Sequence, residues 1–88
     1  MSKNKCVFEV AQKLRKRVMG MPEVRNCAIE FQSCSRGFLT RCFIHSDGPS
    51  ALGSIETHKP PGVSELNRAV TRAIAGFQRE IEALESTQ

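Results

Sequence analysis

The chain has no Trp and no Tyr. Any ring that stacks on a base or anchors a partner must therefore come from its five Phe residues, several of which a core will claim. Its four cysteines, Cys6, Cys27, Cys34 and Cys42, contain no C-x-x-C pair, which argues against a dithiol redox motif and against ordinary zinc spacing. No apolar run approaches the roughly 18 residues of a membrane span. Lys3 and Lys5 lead into Cys6-Val7-Phe8-Glu9-Val10, which is too short and too interrupted for the apolar part of a signal peptide. Gly48, Gly53 and Gly62 are too scattered for a phosphate-cradling loop. The expectation is a reduced, cytoplasmic, soluble protein with free thiols that binds no membrane and no cofactor.

The 88 residues suffice for one small domain, 1–88, ending in a short polar tail at 85–88. About two-fifths are apolar and a quarter charged, an ordinary globular composition. The net charge of +4 is unevenly placed. Residues 1–19 carry six Lys/Arg against one Glu, residues 20–60 four against four, and residues 61–88 three against four. The basic excess belongs to the N-terminal segment and points to nucleic acid or an acidic protein surface as partner.

Hydrophobic spacing sets the elements. Val7, Ala11, Leu14 and Val18 share one face of a helix over residues 5–19. Asn4 or Ser2 is its expected cap, and Gly20 and Pro22 its stop, Gly as the residue that tolerates left-handed geometry. Cys27, Ile29 and Phe31 alternate along a strand, and Phe38, Cys42 and Ile44 along a second. Joining odd to even positions requires a hairpin loop of two or four residues, Arg36-Gly37 or Cys34 to Gly37. Leu39, Arg41, Phe43 and His45 then occupy the outward face. Asp47-Gly48-Pro49 and Lys59-Pro60-Pro61-Gly62 are turn signals. Between them Ser54 to Thr57 reads as a short third strand, with a mobile binding loop over 47–63 as the competing reading.

The most periodic stretch is the last. Val63, Asn67, Val70, Ile74, Phe77, Ile81 and Leu84 form a near-heptad seam, and Ala69, Ala73 and Gly76 a ridge of small residues beside it. Ser64 is the expected cap. As a helix Val63 to Leu84 is ~33 Å long, against ~30 Å for a compact body of this size. Ile81 and Leu84 should overhang the sheet and need cover from the first helix or from a second copy. The fold class is α+β: a helix, an antiparallel sheet of two or three strands and a long C-terminal helix, both helices on one sheet face.

Candidate binding residues follow from charge and aromatics. Lys13, Arg15, Lys16 and Arg17 form a dense basic cluster, to which Arg36 and Arg41 of the hairpin can add, as can Arg68, Arg72 and Arg79 of the long helix. Phosphate contact requires only cations spaced along a surface. Phe43 beside Arg41 can stack a base or anchor a protein. The seam residues Asn67, Val70, Ile74, Phe77, Ile81 and Leu84 suit a homodimer. Cys27, Cys34, Cys42 and His45, spaced C-x6-C-x7-C-x2-H, fit no established metal pattern. His45 and His58, each near Ser, Thr or Asp, sit in turn-like sequence, Cys34 is a nucleophile only if a base is brought to it in space, and no catalytic residue is assigned.

The helix–three-strand–helix order resembles a double-stranded-RNA-binding domain, which implies contact with RNA phosphates. The second helix here opens Ser64-Glu65-Leu66-Asn67-Arg68, where that family has a Lys-rich run. The expected function is that of a small non-enzymatic regulatory protein that contacts nucleic-acid phosphates through its basic N-terminal helix. The alternative is a bacterial or phage accessory factor or inhibitor that docks on a larger protein through the outer sheet face or the 47–63 loop.

Overall fold

The computed structural model describes residues 6–86. Its elements are α1 (Val7–Met19), β1 (Asn26–Cys34), β2 (Gly37–His45), β3 (Ser50–Thr57) and α2 (Val63–Ser86). The strands form one antiparallel sheet in the order β1-β2-β3. α1 packs on β1, and α2 packs on β3 and β2, so both helices share one face. The result is a two-layer slab with Cα extents of 49 × 30 × 16 Å.

α1 buries Ala11, Leu14 and Val18, the face set by its spacing. The expected caps Asn4 and Ser2 lie outside the described residues. The Cys6 carbonyl accepts from the Glu9 and Val10 amides, so the helix starts there. Gly20 ends it with φ −80° and ψ −7°, a right-handed geometry, and its N–H still donates to the carbonyls of Lys16 and Arg17. Left-handed freedom is therefore not what ends α1. Pro22 cannot extend the helix, and the chain turns through Val24, whose amide donates to Met21.

The hairpin loop is even, as the alternation demands, but its two residues are Ser35 and Arg36, since Cys34 already pairs with Gly37. Gly37 permits this with φ +143°; a Cβ there would strike the Thr57 carbonyl and lie 3.2 Å from His58 Cα. Cys27, Ile29 and Phe31 consequently share the helix-facing side with Phe38, Thr40, Cys42 and Ile44. Thr40 completes the inward set on β2, where a polar residue in the alternation had concealed it.

The segment expected as a short strand at 54–57 or as a mobile loop is an eight-residue strand, Ser50–Thr57. Its inward residues are Ala51, Gly53, Ile55 and Thr57. Gly53 hides this alternation in the sequence, yet it is buried because α2 crosses directly above it. A Cβ at Gly53 would lie 2.5 Å from the Ala73 amide nitrogen and closer still to the Ala69 carbonyl. The ridge Ala69, Ala73 and Gly76 is thus the surface by which α2 approaches β3, with Gly76 resting over Ala51.

Gly62, not Ser64, caps α2. Its carbonyl accepts from the Leu66 amide at 3.1 Å, and its own N–H donates to Glu65 Oε1 at 2.8 Å. This is the Glu half of a capping box, since glycine at the cap has no side chain to accept from the Glu65 amide in return. Leu66, Val70 and Phe77 then enter a core closed by Leu14, Val18, Val24, Cys27, Cys42 and Ile44. At the far end the helix runs past the sheet, as its length predicts. There Ile81 lies beside Pro22 and Arg25 of the α1–β1 connection and Asp47 of the β2–β3 connection, while Leu84, half exposed, reaches towards Gly48. Glu85 and Ser86, expected in a polar tail, are the last residues of α2.

Candidate nucleic-acid interface

The residues grouped by charge in the sequence divide among three surfaces. α1 turns Lys13, Lys16 and Arg17 outward, all exposed. Among the described residues no carboxylate forms an ion pair with any of them. Lys13 and Lys16 line one shallow depression with Glu9 and Gln12. Arg17 faces the groove between the helices, opposite Asn67 and Thr71. Lys16 and Arg17 also occupy the last turn of α1, where the helix dipole favours cations.

Arg15 is used differently. Its Nε donates to the Cys27 carbonyl at 2.6 Å, and Nη2 reaches Asn26 Oδ1 at 3.5 Å. On the opposite edge strand Arg72 Nη1 donates to the Ser54 carbonyl at 3.1 Å. Each sheet edge thus has an arginine from the helix above it bonded to a strand carbonyl, which blunts an edge that would otherwise recruit another strand. Arg15 and Arg72 hold the fold first.

Arg41 and Phe43 lie on the sheet face away from the helices, so the slab separates them from the α1 cluster. Arg41 Nη2 donates to Glu30 Oε1 at 2.8 Å, and its guanidinium carbon stands 5.3 Å from the Phe43 ring centre. On the other side the His45 ring runs parallel to Phe43 at 6.3 Å, with 3° between the planes. Charge and ring are both engaged within the strand. Leu52, directly opposite Phe43 on β3, is 53% exposed. Arg36 projects from the hairpin tip, at the end of the molecule where α2 begins.

The proposed dimer seam is the face by which α2 joins its own chain. Val70 and Phe77 are buried in the core, and Ile74 and Ile81 pack against it half-buried. Asn67 and Leu84 stand at its exposed ends.

Cys27 and Cys42 are buried on the inner face with their sulfurs 3.9 Å apart. The bond to Cys27 and burial push the Cys42 thiol up from its ordinary range, which keeps it protonated. Cys34 lies at the hairpin tip and His45 on the outer face, so the C-x6-C-x7-C-x2-H residues do not converge.

Comparison with known protein families, with curated proteins and with solved structures finds no match.

One feature the charge pattern did not reveal is aromatic. Phe8 is 66% exposed on α1 and meets Phe31 of β1 edge to face, ring centres 5.5 Å apart at 83°. Its signal was present in the sequence: Phe8 falls off the apolar wheel of Val7, Ala11, Leu14 and Val18.

Proposed function

We propose that this chain is a non-enzymatic binding protein that contacts nucleic-acid phosphates through the outer side of α1. The observation that carries the reading is that Lys13, Lys16 and Arg17 are exposed with no ion-pair partner among the described residues, while Arg15 and Arg41 are engaged within the fold. Fixed, unneutralised cations on a rigid helix release counterions from a phosphate backbone, which is the main source of sequence-independent affinity. Four free thiols support a reducing, intracellular setting.

The test is binding of a labelled oligonucleotide across a salt series, with Lys13, Lys16 and Arg17 replaced together by Ala. Arg15 is retained because it holds β1. The expected result is weaker binding and a slope of log K against log salt reduced by about 2. Unchanged affinity and slope would overturn the reading.

A second reading is favoured by the open outer sheet face, where Leu52 stands beside Phe43. There the chain docks on a larger protein as a regulator, with α1 steering the encounter. A stoichiometric complex captured from lysate that survives nuclease and is lost in Leu52→Glu would select it. The 47–63 segment leaves this reading as a mobile loop, because residues 50–57 of it form β3.

A further inference from the structure

The hairpin end of the slab is concave as well as aromatic. One hollow, of about 220 Å³, is lined by Phe31, Gln32, Ser33, Phe38 and Pro61. A second, of about 310 Å³, adjoins it across Phe38 and is lined by Cys34, Arg36, Phe38, Glu56, Thr57 and His58. Phe38 is common to both, and Phe8 stands at the outer margin against Phe31. Three of the five Phe residues therefore gather at one end, with Arg36 at the rim and Lys59 in the adjoining connection.

We propose that this end is a stacking platform for the unpaired bases of single-stranded nucleic acid, continuous with the cations of α1. The proposal rests on the phosphate-binding reading above and specifies its substrate class. Phe8, Gln12 and Lys16 follow one another at intervals of four along α1, so ring and cation share one ridge, ~12 Å apart from Phe8 to Lys16. Single-strand binders combine these two elements, a positive track for the backbone and rings on which successive bases stack. A duplex keeps its bases stacked inside and presents no ring face to a hollow. Phe43 is a poorer platform, since Arg41 and His45 already flank its ring. The edge-to-face contact of Phe8 with Phe31 leaves ring surface open to a base.

Charge complementarity selects the occupant. Among the described residues Glu56 is the one carboxylate lining these hollows. Arg36 beside it, Lys59 and the α1 cations favour an anion that also carries flat apolar groups, which describes a single strand. The experiment compares three probes at one salt concentration: a twelve-nucleotide single strand, the same length fully abasic, and a duplex of that length. The native protein should bind the base-bearing strand about tenfold more tightly than the abasic one. Phe8→Ala, a change at an exposed position checked by circular dichroism, should remove that gap and leave the salt slope unchanged. Equal affinity for abasic and base-bearing strands, or a gap that survives in both Phe8→Ala and Phe38→Leu, overturns the platform and leaves the phosphate reading standing. Absence of binding to every oligonucleotide overturns both. Displacement of the single strand by poly-glutamate that depends on Phe8 would assign the hollow to an acidic peptide and overturn the proposal.

Discussion

Thr40 shows how much one side chain can carry in a core this small. It is fully buried between Phe31 and Ile55 on the inner face, and its hydroxyl has no hydrogen-bond partner among the described residues. An unsatisfied buried hydroxyl costs about 1–3 kcal/mol. Thr40→Val keeps the branched shape and removes that cost, so it should raise stability by roughly 1 kcal/mol in urea denaturation. Gly53 is the opposite case. Gly→Ala ordinarily stabilises a chain by ~0.4–1 kcal/mol through the unfolded state. Here the added Cβ meets the backbone of α2, which cannot rotate away as a side chain would, and overpacking of that kind costs about 1–3 kcal/mol. Overpacking wins, so Gly53→Ala should lower the urea midpoint. A midpoint at or above the native value would show that α2 can lift from β3 at little cost.

Among the elements, α2 is tied at its start by the Glu65 side chain. The bond accepted from the Gly62 amide holds the Glu65 carboxyl below its usual range, with its own amide contributing. A carboxyl whose pKa is lowered by folding stabilises the native state above the unfolded pKa, and that contribution is lost as pH falls through the folded value. Glu65→Gln should therefore lower the melting temperature at neutral pH, with the difference from the native chain shrinking under acid. A difference that is constant from pH 7 to pH 3 would show that the charge has no part in the cap. The same element illustrates what could be read in advance. The seam Val70, Ile74, Phe77 and Ile81 was legible as one apolar face because helical period is a local property. Of its neighbours the first helix was anticipated, and Leu14 and Val18 do meet it, but the α1–β1 and β2–β3 connections that flank Ile81 were not, because they are distant in sequence.

At the scale of the whole molecule, the slab places the two candidate surfaces back to back. The α1 cations belong to the helical layer, and Phe43 and Leu52 to the open sheet face. Leu52→Glu should consequently leave oligonucleotide affinity unchanged, measured by fluorescence anisotropy. A marked loss would mean that the nucleic acid wraps an edge of the slab and uses both faces. The grouping of Lys13, Arg15, Lys16, Arg17, Arg36, Arg41 and Phe43 as one site was a grouping by charge and ring. Folding separates it, because alternation on β2 sends Arg41 and Phe43 outward while the helices cover the other side.

What the sequence determined by itself was the set of local choices: two amphipathic helices, the parity of the hairpin, the inward residues of β1 and, Thr40 apart, of β2, and the overhang of α2. Each follows from spacing, steric preference or length within one segment. Tertiary structure alone decided the extent of β3, the duties of Arg15 and Arg72, and the gathering of Phe8, Phe31 and Phe38 at one end. Those depend on which backbone comes close to which. Gly53 is a strand residue because a helix crosses it, and Arg15 is an edge cap because the Cys27 carbonyl lies below it.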